Sequence, residues 1–140
     1  MYQFNYERPK SLADAEALLS KADDPKLLAG GQTLIPTLKQ RLAMPSDVID
    51  IGGLEELNFI RAEGDALTIG AATRHASVAQ SADVEKHNPA LASLAAGIGD
   101  PAVRHMGTLG GSIANNDPAA DYPAACLALD AKIHTTKRLI

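Results

Sequence analysis

The chain has a single cysteine, Cys126, among 140 residues. No internal disulfide can form, and zinc or iron–sulfur centres built on several cysteines are excluded. Aromatic residues are scarce, at 4% with no tryptophan, and lysine and arginine nowhere form a run. At a formal net charge of −4, the electrostatic footprint of a nucleic-acid binder is missing, as are the stacking platforms that single strands require. No apolar run approaches the roughly 20 residues that span a bilayer. Met1-Tyr2-Gln3-Phe4 does not read as a charged region leading into an apolar one. The expectation is a cytoplasmic protein with no membrane span and no nucleic-acid partner.

Complete catalytic sets are equally absent. His75, His87, His105 and His134 show no ligand spacing with acidic residues, so no metal site is expected, and each reads as a surface or helix histidine. Cys126 lies in the apolar run Ala124-Ala125-Cys126-Leu127-Ala128, which suits a buried inert thiol better than a nucleophile. Ser112 has no Gly-x-Ser-x-Gly elbow around it. Arg104 and His105 could balance phosphate charge, or Arg104 could be solvated or ion-paired. No catalytic residue is assigned; any redox chemistry would belong to a bound cofactor that the protein binds and orients.

What is present is 46% hydrophobic residues, enough for a core, and two glycine pairs beside hydroxyl residues. One is Ala29-Gly30-Gly31-Gln32-Thr33. The other is Gly107-Thr108-Leu109-Gly110-Gly111-Ser112, leading into Asn115-Asn116-Asp117-Pro118. Adjacent glycines let backbone N–H groups approach an anion, because no Cβ stands in the way. Neither segment is a Gly-x-Gly-x-x-Gly fingerprint or a Walker A motif. The first reads as an anion-site candidate, or else as a tight strand-to-helix turn. The second reads as a ligand loop whose side-chain oxygens could bond sugar hydroxyls or a ring edge, or else as a polar surface loop.

Local signals order the chain. Ser11 is placed as an N-cap with Asp14 three residues on, and Leu12, Ala15, Leu18 and Leu19 recur at helical spacing toward Ala22. Residues 26–29 read as a strand, 33–42 as a helix with Pro36 in its first turn, and 47–51 as a strand. This is a parallel crossover unit with Gly30-Gly31 at the carboxyl end of a strand, where ligands of open α/β sheets sit. Residues 59–63 and 66–70 read as a hairpin through Gly64-Asp65. Asn88-Pro89 opens a helix over 90–96 that Gly97 and Gly99 end. Residues 100–121 read as a long irregular functional loop, 123–129 as a short helix and 131–136 as a strand. With Lys137-Arg138-Leu139-Ile140 turning toward a further element, a chain cut short is expected, and an unfinished sheet edge would invite self-association. The predicted organisation is an N-terminal α/β lobe over 1–53 and a second, mixed α+β lobe over 54–140 with mainly antiparallel pairing.

Two long segments carry a family resemblance. Leu28-Ala29-Gly30-Gly31-Gln32-Thr33-Leu34-Ile35-Pro36 resembles the first flavin motif of the FAD-binding medium subunit of molybdenum hydroxylases, the group that includes aerobic carbon monoxide dehydrogenase and xanthine dehydrogenase. Asp100-Pro101-Ala102-Val103-Arg104, Gly107 through Asn115, and Asp117-Pro118-Ala119-Ala120-Asp121-Tyr122-Pro123 resemble the second. Arg41-Leu42-Ala43 and Asp50-Ile51 match between them.

The resemblance implies a two-lobed α+β FAD-binding fold of the vanillyl-alcohol-oxidase type. By carry-over, Leu28, Ala29, Gly30, Gly31, Gln32, Thr33 and Leu34 form the first cofactor loop, with the pyrophosphate on Ala29 to Leu34. Ile98 and Gly99 pack near the cofactor. Thr108, Gly110, Gly111, Ser112, Asn115 and Asp117 line the second loop, and Asp121 offers a carboxylate to hydroxyl or N–H groups of FAD. The implied function is electron transfer within an oxidoreductase. Electrons would arrive from a small subunit with [2Fe-2S] clusters and a large subunit with the molybdenum cofactor, and leave to an external acceptor. The family often has serine at the position of Thr33 and asparagine at that of Ser112, and its members run well beyond the length of this chain. The alternatives are a fragment that does not retain FAD, and a flavin oxidase or reductase from another branch of the fold.

Overall fold

A computed structural model describes residues 1–140. Strand β1 (Asn5–Glu7) leads into helix α1 (Leu12–Lys21), then strand β2 (Pro25–Leu28), helix α2 (Leu34–Lys39) and strand β3 (Asp47–Asp50). The three strands are parallel in the order β1-β3-β2, with Tyr6 and Lys26 both paired to Val48. Val48 and Ile49 are buried, because β3 is central and the helices need an apolar face to pack on. The crossover β2-α2-β3 is the one the sequence predicts, and it leaves Gly30-Gly31 just past the carboxyl end of β2.

Ser11 caps α1, accepting from the Asp14 N–H at 3.1 Å. Helix α2 stops three residues short of the predicted Leu42. Arg41 takes a left-handed conformation at φ 60°, and the Leu42 N–H donates to the Thr37 carbonyl at 3.0 Å while the Arg41 N–H donates to Leu38. This Schellman closure normally uses glycine; here the Arg41 guanidinium lies over the Tyr2 ring, 5.7 Å from its centroid.

After a 3-10 turn at Glu55–Leu57, β4 (Ile60–Glu63) and β5 (Ala66–Ile69) form the predicted antiparallel hairpin, turning on Gly64 at φ 59°. The remainder is helical: α3 (His75–Gln80), α4 (Ala82–His87), α5 (Pro89–Gly97), α6 (Pro101–Met106), α7 (Leu109–Asn115) and α8 (Asp121–Ala128). Val78, Val84, Ala92, Ala95 and Tyr122 form their shared core, with Ile60, Leu67 and Ile69 of the hairpin packed against it. The architecture is α+β. No helix is long and apolar enough to cross a membrane.

Two expectations are corrected. The segment 100–121 is not an irregular loop: α6 starts on an Asp100 cap with Pro101 behind it, and α7 on a Thr108 cap. The segment 131–136 is not a strand. Residues 133–140 close on themselves instead, with Ile133 and Ile140 exchanging backbone hydrogen bonds and a single bridge between His134 and Leu139.

Candidate functional site

The two glycine segments meet. A Cβ built on Gly30 would run into the Met106 carbonyl and stand 2.6 Å from the Gly107 Cα. One built on Gly111 would come within 3.8 Å of the Ala29 Cβ. Only a glycine at position 30 lets the two main chains touch, so the first loop rests directly on the start of the second motif. Gly31 adds a left-handed turn at φ 73°, where a side chain would be strained and would strike Ile35 and Leu28.

The hydrogen-bonding states of the two segments differ. From Ala29 through Leu34 no backbone N–H donates to any acceptor in the chain, although Gly30 is buried. The run ends at Ile35, whose N–H donates to the Gly31 carbonyl at 3.0 Å. Buried or half-buried amides are almost always paired, so consecutive unpaired donors in a turn are suited to an anion. Thr33 stands at the α2 N-cap without using its side chain as a cap, which leaves the hydroxyl available. The Gln32 side-chain amide donates to the Gly30 carbonyl at 3.3 Å and stiffens the turn.

In the second motif the amides are already engaged, apart from that of Thr108. Leu109 donates to Thr73 at 2.9 Å, Gly110 to Ala71 at 2.8 Å and Ser112 to the Thr108 carbonyl at 3.1 Å. The Gly111 N–H donates to the Thr108 hydroxyl at 3.2 Å. The glycines here serve backbone-to-backbone packing: a Cβ on Gly110 would stand 2.5 Å from the Ala71 Cβ. Buried Thr108 is a helix cap, and Ser112 presents the hydroxyl left without a partner in this motif.

Other predicted site residues lie further along the same helices. Asn115 ends α7, Asp117 accepts from the Ala119 N–H at 2.8 Å, and Asp121 is exposed in the first turn of α8. Ile98 and Gly99 form the turn before α6, where the Arg104 guanidinium donates to both their carbonyls at 3.0 Å. Arg104, half-buried and in no ion pair, is thus a clamp on that turn. His105 is also engaged, its Nδ1 2.7 Å from the Pro101 carbonyl. An open groove of about 660 Å³ lined by Arg8, Lys10, Gly53, Leu54, Glu55 and Glu56 shares no residue with either motif.

Sequence reasoning missed several contributors. Ala71 and Thr73 take the amides of the second motif, and their only signal is the small-residue run Gly70-Ala71-Ala72-Thr73. Arg74, exposed and without an ion pair, bridges to Thr108 through the backbone. His75 is the first residue of α3 yet only 5% exposed, so it is not a surface histidine. Burial pushes its pKa below the ordinary histidine value.

The family model described as "FAD binding domain in molybdopterin dehydrogenase" matches residues 2–139. The chain belongs to this family of FAD-binding domains. It is 45% identical over 130 residues to the carbon monoxide dehydrogenase medium chain of Hydrogenophaga pseudoflava, covering 92% of this chain and 45% of that protein. To the nicotine 6-hydroxylase medium subunit of Paenarthrobacter nicotinovorans it is 41% identical over 128 residues, covering 91% and 45%. Among solved structures, reconstituted CO dehydrogenase from Oligotropha carboxidovorans superposes with a TM-score of 0.92 at 40% identity, over 99% of this chain and 50% of that one. Carbon monoxide dehydrogenase from H. pseudoflava gives 0.88 at 46%, over 90% and 44%. The chain spans about half the length of the curated relatives it matches. Its fold is a partial FAD-binding fold of this family, and FAD is the family's cofactor. The residues present fit such a group: the unpaired amides of Ala29 to Leu34 are complementary to a diphosphate.

Proposed function

We propose that the chain is the flavin-binding part of an electron-transfer subunit in a molybdenum-containing dehydrogenase or hydroxylase. The observation that carries the reading is the run of unpartnered amides from Ala29 to Leu34, set against the second motif at Gly107. FAD, when bound, supplies a ring that accepts and releases electrons one or two at a time. The chain's own work is to hold and orient it. Ala29, Gly30, Gly31, Gln32, Thr33 and Leu34 would hold the pyrophosphate through their unpaired amides, and Leu28 anchors the loop to β2. The free hydroxyl of Ser112, with Asn115, Asp117 and Asp121, offers polar contacts along α7 and the start of α8. Thr108, Gly110 and Gly111 fix the position of that helix. Ile98 and Gly99 form an apolar edge that Arg104 holds in place.

On this reading residues 1–53 form one lobe of the cofactor site and residues 54–140 the other, in a cytoplasmic enzyme. The partners are an iron–sulfur small subunit and a molybdenum large subunit, named for the relatives' medium-chain role. They supply the metal centres that one cysteine cannot build. The chain's part would be to hold the flavin where it could take electrons from those clusters and release them to an external acceptor.

The test is to add FAD to the purified chain and record its visible spectrum and melting temperature. Bound flavin should stabilise the fold by about 2.7 kcal/mol at a hundredfold excess over Kd. A colourless chain with an unshifted melting temperature would leave a fragment that does not retain FAD.

A further inference from the structure

We propose that His75 is a positioning residue for the flavin loop: its neutral ring supports Gly107, which in turn carries Gly30 and the donor amides behind it. The proposal rests on the reading of that loop as the FAD site and adds a proton-linked control to it.

The contacts form a continuous path. The His75 N–H donates to the Gly107 carbonyl at 3.0 Å. Its ring lies along Gly107 so closely that a Cβ there would stand 2.6 Å from Nε2 and 2.8 Å from Cδ2. On its other side Gly107 abuts Gly30. Behind the ring stands Tyr122 of α8, with ring centroids 5.3 Å apart and planes tilted by 37°. Tyr122 is 1% exposed. Neither its hydroxyl nor His75 Nδ1 has a hydrogen-bond partner.

No group near the ring can compensate a positive charge. From α8 the facing titratable side chain is Tyr122, whose own ionisation is suppressed by burial, with exposed Asp121 and half-buried Cys126 beside it. On α6, Arg104 is turned to the Ile98 and Gly99 carbonyls and His105 to Pro101. Helix α5 has no ionisable residue, and Asp83, Glu85, Lys86 and His87 of α4 are all exposed. A protonated His75 must therefore reach water or remain uncompensated. The costly second outcome drives the first, and a ring that turns out to water withdraws its support from Gly107. Protonation of His75 and anion binding at Ala29–Leu34 then oppose one another, and by linkage each weakens the other to the same degree.

The experiment uses the full 140-residue chain and has two arms. In the first, without flavin, the His75 ring and the amides of Gly107 and Gly30 to Leu34 are followed by NMR as pH falls. These amide shifts are expected to titrate with the ring's midpoint; amides that ignore the ring overturn the proposal, whether or not the chain binds FAD. In the second, FAD affinity is measured across the same pH range for wild type and His75→Phe, which keeps an aromatic filler but cannot titrate. The wild-type Kd is expected to rise by up to about tenfold per pH unit below the ring's midpoint, and that of the variant to stay flat. Equal pH dependence in the two proteins overturns the proposal. If the variant does not fold, saturating wild type with FAD must lower the midpoint of the His75 ring, and an unmoved midpoint overturns it instead. Amides that track the ring in a chain that binds no FAD would refute the flavin reading alone and leave the mechanical link intact.

Discussion

Gly30 and Gly107 meet main chain to main chain, since a Cβ built on Gly30 would lie 2.6 Å from the Gly107 Cα. Between them they join a strand-to-helix loop of the parallel sheet to the helical half of the molecule. The donor amides of Ala29 to Leu34 depend on that contact for their position.

Gly30→Ala and Gly31→Ala should therefore fail for different reasons. At Gly30 the added methyl meets backbone that cannot step aside, so the two segments must separate, at a cost of about 1–3 kcal/mol and most of the FAD affinity. At Gly31 the φ of 73° penalises any side chain, by about 1–2 kcal/mol. Ile35 and Leu28 can give way there in part, whereas Gly31→Val should abolish binding. Urea unfolding paired with flavin titration separates the cases; wild-type affinity in Gly30→Ala would refute the contact.

Thr108→Ala removes the oxygen that accepts from the Gly111 N–H. The loss of an N-cap should cost about 1 kcal/mol, with Thr108→Ser recovering most of it. The readout is the urea midpoint at constant m-value.

Arg104→Lys should not replace arginine. One guanidinium nitrogen serves the carbonyls of both Ile98 and Gly99, and a lysine ammonium on a flexible stem does not reproduce that fixed planar arrangement. Both Arg104→Lys and Arg104→Ala are expected to lose about 1 kcal/mol. Hydrogen exchange should accelerate in the turn before α6 and leave β3 unchanged.

Stability should also depend on pH through His75. Its folded-state pKa lies below the ordinary 6.5, so around and below that value the unfolded chain binds the extra proton. The stabilisation from keeping the ring neutral is complete above about pH 6.5. It declines as pH falls toward the folded-state midpoint, by at most about 1.4 kcal/mol per pH unit. In His75→Phe this contribution should vanish from denaturation curves collected over the same range.

Much of the fold was legible locally. Ser11 with Asp14, Asn88 with Pro89, and the Gly64-Asp65 turn each announce an element through a hydrogen bond or a dihedral preference acting within a few residues. Asp100-Pro101 carries the same signature as Asn88-Pro89, yet the density of glycine, proline and asparagine after it argued for a loop. Gly110 and Gly111 are poor helix formers, and α7 exists because Ala71 and Thr73 receive its first amides while Ala71 leaves no room for a Cβ on Gly110. Helices α3 and α4, only six residues each, are too short for periodicity to reveal, and they form because Val78 and Val84 are buried in the shared core.

The candidate site divides in the same way. The sequence by itself determined the two glycine segments, their order and their family, because backbone freedom and motif spacing are properties of neighbouring residues. Only the tertiary structure decided that the first segment keeps its amides free while the second consumes all of its own but that of Thr108, and that His75 and Tyr122 stand behind the junction. Those outcomes depend on which carbonyls arrive from elsewhere in the chain, and no local pattern encodes a partner seventy-odd residues away, as Gly107 is from Gly30.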